Sequence, residues 1–254
     1  AFSFSEGLAA VIPPRLGRKK WGFIDREGKL KIPAKFDVVG TFFENRARSS
    51  VDDVWGYIDP PGKWAIDPSF DSALDFSSDR AAVRKEGGGT WGYINKTGRM
   101  VIPAKYDWAE TFSEDLARVR SEGKWGFINA GGDFVFPPAF DYAHNFSEGL
   151  AAVNVEREFD TFFKKMRGGK WGYIDKEGRG VIDALFDEAG SFINGLARVK
   201  LYGKWNFIDR QGKLLDEKGF DEASNFIGES APVWREGRAF LFRKDGTLIP
   251  IEIK

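Results

Sequence analysis

The chain has 254 residues, with 38 Lys plus Arg against 38 Asp plus Glu, a formal net charge of zero, one histidine and no cysteine. This composition excludes disulfides, thiolate chemistry, Cys-ligated zinc or iron–sulfur centres and multi-histidine metal sites. It leaves no cationic surplus to neutralise phosphates, so nucleic acid is not an expected partner. No apolar run reaches the length a membrane-spanning helix needs, so no transmembrane segment is expected. A Ser-His-Asp site would have to use His144, the single histidine. Thirty Gly, 24 Phe, nine Trp and six Tyr point to many short aromatic strands separated by tight turns. The opening AFSFSEG lacks the basic and apolar stretches of a secretion signal. That fits a mature protein or a piece of a longer one, and it leaves the compartment open.

The first element, Phe4-Ser5-Glu6-Gly7-Leu8-Ala9-Ala10-Val11, reads as the back half of a repeat that lacks its front half. Trp-Gly-aromatic-Ile then recurs at Trp21, Trp55, Trp91, Trp125 and Trp171, and as Trp205-Asn206-Phe207-Ile208 in a sixth copy, with spacings of 34, 36, 34, 46 and 34. Sixteen residues after each Trp stands an Asp: Asp37, Asp71, Asp107, Asp141, Asp187 and Asp221. A Phe follows five later (Phe42, Phe76, Phe112, Phe146, Phe192, Phe226), and an Ala five after that. The span from Trp to Ala is constant, so all length variation falls in one free loop per repeat. The chain closes with a front half, Arg238 to Lys254, in which Ala239-Phe240 replaces Trp-Gly.

Each repeat reads as three short strands. The first is Trp-Gly-aromatic-Ile. A turn such as Asp25-Arg26-Glu27-Gly28 leads to a second strand, usually stopped by Pro (Pro33, Pro103, Pro137), and a third such as Leu116-Ala117-Arg118-Val119 follows. A unit this small cannot bury enough surface alone, so the units must stack. The predicted fold class is therefore all-β, as one repeat domain over residues 1–254. Its units begin near 21, 55, 91, 125, 171 and 205, with a split unit made of 1–20 and 238–254. Seven units with complementary terminal halves suit a β-propeller-like ring; a degenerate last copy suits an open β-solenoid.

The recurring Lys-Trp-Gly-aromatic-Ile-Asp, Ile-Pro-Ala-x-aromatic-Asp and Phe-Ser-Glu-Gly-Leu-Ala resemble the bacterial WG-repeat family. The likeness covers essentially the whole chain outside an insertion at 154–169. It departs at Trp205-Asn206, Ala239-Phe240 and Arg46-Ala47-Arg48-Ser49. It implies a modular interaction array and no reaction.

Repeated residues are expected to be structural: the Trp residues as packing between neighbours, with Gly permitting close approach, and the Asp residues as acceptors of backbone hydrogen bonds from their own turns. Departures from the repeat are the better functional clues. The largest is the 154–169 insertion, with Phe159, Phe162, Phe163 and Met166 among charges including Lys164, Lys165 and Arg167. It suits an amphipathic hairpin or helical turn that docks a protein. Trp108 and Tyr142 follow the repeated Asp in two successive copies where others carry Val38, Ser72, Glu188 and Glu222. With His144 they form a candidate ligand patch for a sugar or peptide. Glu86-Gly87-Gly88-Gly89-Thr90 lacks the Gly-Lys-Ser/Thr ending of a phosphate loop. No catalytic residue, metal site or cofactor is expected. The expected function is a non-catalytic scaffold for protein–protein interaction. A carbohydrate-binding module is the alternative, and a two-carboxylate glycosidase a weaker third.

Overall fold

The computed structural model describes residues 2–13, 19–85, 87–155, 158–160, 165–167 and 169–251. All regular structure among them is β. The chain divides into two compact units, Ala1–Gly123 with Phe127–Phe134, and Lys124–Gly126 with Val135–Lys254.

In the first unit a representative run of adjacent strands is Trp64–Ala73, Val54–Ile58, Ala47–Val51 and Val38–Val39. In the second it is Gly180–Phe186, Lys170–Asp175, Leu150–Val155 and Tyr142–Ala143. The three expected strands are all present, with a two-residue strand added after the repeated Asp. Each blade-like sheet joins the back half of one repeat to the front half of the next, because the third strand turns directly into the following Trp-Gly strand. Thus Ala47 pairs with Ile58 and Ala197 with Ile208. The terminal halves obey the same rule: Ala9–Val11 pairs with Trp21–Ile24, and Ser230–Arg235 with Arg238–Arg243. The turn between these strands needs two residues at positive φ, as at Asp52-Asp53 and Glu122-Gly123.

The central strands are buried on both faces: Tyr93 and Ala82 pack in one cluster, and Ile94, Ala81 and Val83 in the cluster of the preceding repeat. The aromatic two residues after each Trp is sealed: Phe23, Tyr57, Tyr93, Phe127, Tyr173 and Phe207 are buried. It meets the repeated Phe edge-on, with Tyr57–Phe76 ring centroids 4.8 Å apart and Tyr173–Phe192 4.9 Å apart. Burying one such ring contributes about 2–3 kcal/mol. The tyrosines also donate from their hydroxyls to backbone carbonyls of Leu74, Glu110 and Gly190 at 2.7–2.8 Å.

The prolines do not end the second strands as expected. Leu30–Phe36, Met100–Tyr106 and Phe134–Phe140 run through Pro33, Pro103 and Pro137. The register shows why: Phe23 faces Ile32, yet Trp21 faces Phe36, so three residues oppose one. Proline sits in this bulge, where the ladder asks for no N–H. The bulge arches over the repeat glycine. A Cβ on Gly22 would lie 2.5 Å from the Ile32 carbonyl oxygen, and on Gly92 2.7 Å from that of Ile102. Close approach is thus the reason for the glycine, and it occurs within a sheet, not between repeats.

The repeated Asp fastens the Trp end of the sheet, and not through its own turn. One oxygen accepts from the backbone N–H in or beside the next hairpin turn, as Asp37 Oδ2 from Asp52 at 3.0 Å and Asp187 Oδ2 from Gly203 at 3.0 Å. The other pairs with the Lys before Trp, in Lys20–Asp37, Lys124–Asp141, Lys170–Asp187 and Lys204–Asp221. Successive repeats are laced by the Ser-Glu turn. Ser77 Oγ donates to the Phe112 carbonyl at 2.7 Å and Ser147 Oγ to that of Phe192 at 2.6 Å. Glu6 and Glu44 accept from the backbone N–H of Asn45 and Asp79 at 2.9 and 3.0 Å.

Gly92→Ala should destabilise the protein by roughly 2 kcal/mol, in the range of overpacked sites, because the new methyl meets backbone that cannot swing aside. Urea unfolding monitored by tryptophan fluorescence measures this, and an unchanged midpoint would contradict the crossing geometry. Hydrogen bonds from Lys170 and Lys204 hold the Asp187 and Asp221 carboxyls below the usual range. Lowered folded pKa values give stability that is complete above the unfolded value near 3.9 and is lost as pH falls through the folded values. The melting temperature should therefore hold from neutrality to about pH 5 and drop below about pH 4, and the drop should shrink in Asp187→Asn.

Candidate functional site

The expected insertion at 154–169 begins within a strand, since Asn154 and Val155 are paired; residues 156–169 stand where the shortest connections have two residues, as at Asp52-Asp53, Glu122-Gly123 and Tyr202-Gly203. Leu150–Val155 and Lys170–Asp175 pair in unbroken register from Leu150↔Asp175 to Val155↔Lys170. Beyond that pair the chain leaves the sheet. Glu158–Asp160 and Lys165–Arg167 form a second two-stranded ladder, with Phe159 opposite Met166, Asp160 opposite Lys165 and Glu158 opposite Arg167. Of the two expected forms the structure takes the hairpin. Phe162, Phe163 and Lys164 lie outside the described residues.

At the root of this hairpin the sheet assembles a row of aromatics. Tyr142 pairs with Asn154, and Asn154 with Trp171, so the three stand side by side across adjacent strands. Tyr142 is 51% exposed. Its ring lies 6.0 Å from that of Trp125 and 5.9 Å from that of Trp171, tilted steeply to both. His144 stacks on Trp171 at 5.0 Å and 27°. His144 is thus part of an aromatic wall with Tyr142 and Trp171.

The sequence patch of Trp108, Tyr142 and His144 is realised in part. Tyr142 and His144 come together, on Trp171 and Trp125, in the second unit. Trp108 belongs to the first unit, 42% exposed, with its ring 5.2 Å from that of Trp91. Its Nε1 donates to Glu110 at 2.9 Å, and Arg118 donates to the same carboxylate at 3.2 Å.

Trp171 is the member that reading the repeat missed. At Trp55, Trp91 and Trp205 the ring is covered by a cation from the neighbouring third strand, Arg48 at 5.4 Å, Arg84 at 5.8 Å and Arg198 at 4.4 Å, while Trp21 stacks on Phe2 at 4.9 Å. In Leu150–Val155 the corresponding positions hold Ala152 and Asn154. Tyr142 and His144 supply the cover instead, and that substitution was the signal available in the sequence. The rim lysines are committed, Lys170 to Asp187 and Lys124 to Asp141.

Chemistry finds little here to work with. Among the described residues no three His, Asp or Glu side chains group to hold a metal ion. Burial raises the Asp75 carboxyl, but it faces the Arg48 guanidinium at 3.0 Å in a contact between successive repeats. The arrangement offers a half-exposed aromatic surface on the sheet that carries the insertion. Among the described residues no helix is long and apolar enough to cross a membrane.

The crystal structure of a eukaryotic initiation factor superposes on 99% of this chain and 74% of its own with a TM-score of 0.61 at 12% identity. Hsv2 of Kluyveromyces lactis aligns over 79% of this chain and 70% of its own, with a TM-score of 0.47 and 11% identity. At such identity the initiation-factor likeness shows the fold alone, an all-β array of propeller-like blades. No curated protein matches the chain. The model of the WG containing repeat matches residues 21–53, 55–88, 91–125, 125–157 and 171–205, and the chain belongs to this WG-repeat family.

Proposed function

We propose that the chain is a non-catalytic scaffold that binds another protein through the insertion of residues 154–169 and the aromatic row Tyr142, His144 and Trp171 beside it. The observation that carries this reading is their adjacency. The longest departure from the repeat and the Tyr142 and His144 cover of Trp171, which replaces the arginine found over Trp55, Trp91 and Trp205, fall on the same strands, Leu150–Val155 and Lys170–Asp175. A half-exposed tyrosine against tryptophan suits a protein hot spot, because such rings bury large area at low entropic cost. The laced sheet behind them keeps them in place, so little ordering is left for binding to impose. Carbohydrate binding is the second reading. The exposed Tyr142 ring favours it, since a flat aromatic face can stack on a sugar.

The fold supplies its own deletion. Replacing residues 156–169 with Glu-Gly, the pair that closes the equivalent turn at Glu122-Gly123, should leave the melting curve unchanged and abolish capture of the partner. Affinity purification from source cells followed by mass spectrometry checks it, and the same partners bound by the shortened chain would refute the hairpin's role. Tyr142→Ser, which installs the residue type found at Ser72, should weaken the captured partner at least about tenfold, or 1.4 kcal/mol. A glycan that shifts tryptophan fluorescence in the native chain but not in Tyr142→Ser would select the carbohydrate reading instead.

A further inference from the structure

At one junction between repeats a recurring contact is broken, and an open cleft takes its place. The apolar residue eleven positions after the repeat Trp ordinarily packs on the turn glycine of the next repeat. A Cβ on Gly62 would touch Ile32 at 2.7 Å, on Gly98 Ile66 at 3.1 Å and on Gly132 Ile102 at 2.8 Å. In the second unit the same contact joins Phe136 to Gly178 and Ile182 to Gly212. In the sixth copy that residue is Asp216, and it turns elsewhere: its Oδ1 accepts from Lys218 and Gly219 N–H at 2.9 and 2.8 Å and from Arg235 at 2.5 Å. Asn206, standing where the others have glycine, completes the change. Its side chain donates to the Asp216 carbonyl at 2.5 Å and accepts from the Phe207 N–H at 2.8 Å. The regular second strand is thereby lost, leaving only the bridges Ile208↔Leu214 and Trp205↔Phe220.

Gly246, the turn glycine that should be covered, meets nothing nearer than the Leu215 carbonyl at 4.0 Å. The space is a cavity of about 300 Å³ walled by Leu196, Leu214, Leu215 and Gly246. Its rim carries Lys213 and Lys244 with Asp209 and Asp245. Equal numbers of each sign leave no net charge to select an ionic ligand. The adjoining turn is apolar as well: Ile193, 47% exposed, stands where Ser77 and Ser147 lace their repeats to the next, and it bridges to Leu196.

We propose that this cleft is a socket for one isoleucine side chain on an extended segment of a partner protein, of the kind with which the array fills the equivalent place at Ile32, Ile66, Ile102 and Ile182, as in Val101-Ile102-Pro103. The internal contacts define the occupant. The surface around a turn glycine accepts isoleucine from a bulged strand at Gly62, Gly98, Gly132 and Gly212, and only the donor is missing at Gly246. This site is separate from the Tyr142 row, so either can fail without the other.

The probe is the labelled peptide Met-Val-Ile-Pro-Ala-Lys-Tyr, the sequence of Met100–Tyr106, titrated against the full chain by fluorescence anisotropy. Saturable binding is expected, weakened at least about tenfold when the peptide's isoleucine is replaced by aspartate, the residue the sixth repeat carries. Lys213→Trp, at an exposed rim position outside the core, should cover the cleft and cause a similar loss with an unchanged melting curve. No binding up to the peptide's solubility limit, equal binding of the aspartate peptide, or binding unaffected by Lys213→Trp would overturn the proposal.

Discussion

The structure depends on one steric constraint, the passage of a bulged strand over the alpha carbon of the Trp-Gly glycine. At Gly22, Gly56, Gly92, Gly126 and Gly172 a single added carbon would stand 2.5–2.7 Å from a carbonyl oxygen of the opposing strand. Because the strand can cross there, it gains two residues relative to its partner and returns with its aromatic opposite the Trp, Phe36 to Trp21 and Phe186 to Trp171. The Asp that follows that aromatic is delivered beside the Lys that precedes the Trp, and their ion pair closes the same end of the sheet. The invariant spacing from Trp to Asp thus has a geometrical origin. The sixth copy shows what happens without glycine: Asn206 fills the crossing with its own amide, and the second strand survives only as bridges.

This constraint divides the repeat into a rigid part and a permissive part. Everything between Trp and the third-strand Ala is bound by register, by the Asp–Lys pair or by the serine and glutamate links to the next repeat. The hairpin between the third strand and the next Trp is held only at its base. It can be two residues long, as at Tyr202-Gly203, or carry a second ladder, as between Val155 and Lys170, with the paired strands beneath unaltered. Such a loop inherits a fixed position from the sheet, which is what a docking element requires.

Much of this was legible in the residues. The period, the strand content, the need for glycine and the one long loop follow from spacing and residue type. Strand partnership did not, because a constant spacing is unchanged whether the third strand pairs backward or forward; only the two-residue turn at Glu122-Gly123 and its equivalents decides it. The prolines misled for a related reason. A bulge suspends the ladder locally, so Pro33 marks an irregularity within a strand, not its end. Of the site, Tyr142 and His144 stood out as departures. Trp171 did not, since it is identical to its sister residues and differs only in its neighbours, Ala152 and Asn154 in place of arginine and lysine. Trp108 looked equivalent to Tyr142 by position, yet it belongs to another sheet and is tied to Glu110.

In a repeat protein, specificity therefore has to be sought in the exceptions, and the exceptions here are correlated. Loss of the Trp-Gly glycine at Asn206, of the packing isoleucine at Asp216 and of the lacing serine at Ile193 all affect the last repeats of the second unit. Independent drift would leave each defect uncompensated, with the half-buried Asp216 carboxylate left without partners. Instead Asp216 receives Arg235 and two backbone donors, while Arg235 lies over Phe220 at 4.6 Å and donates to the Gly219 carbonyl. The polar network is satisfied within its own sheet, and the apolar contact it displaced is the one left vacant above Gly246. A sheet that has replaced its standard fastening with a complete alternative, while leaving its neighbour's turn uncovered, keeps its fold without that contact and leaves the surface available to a different chain.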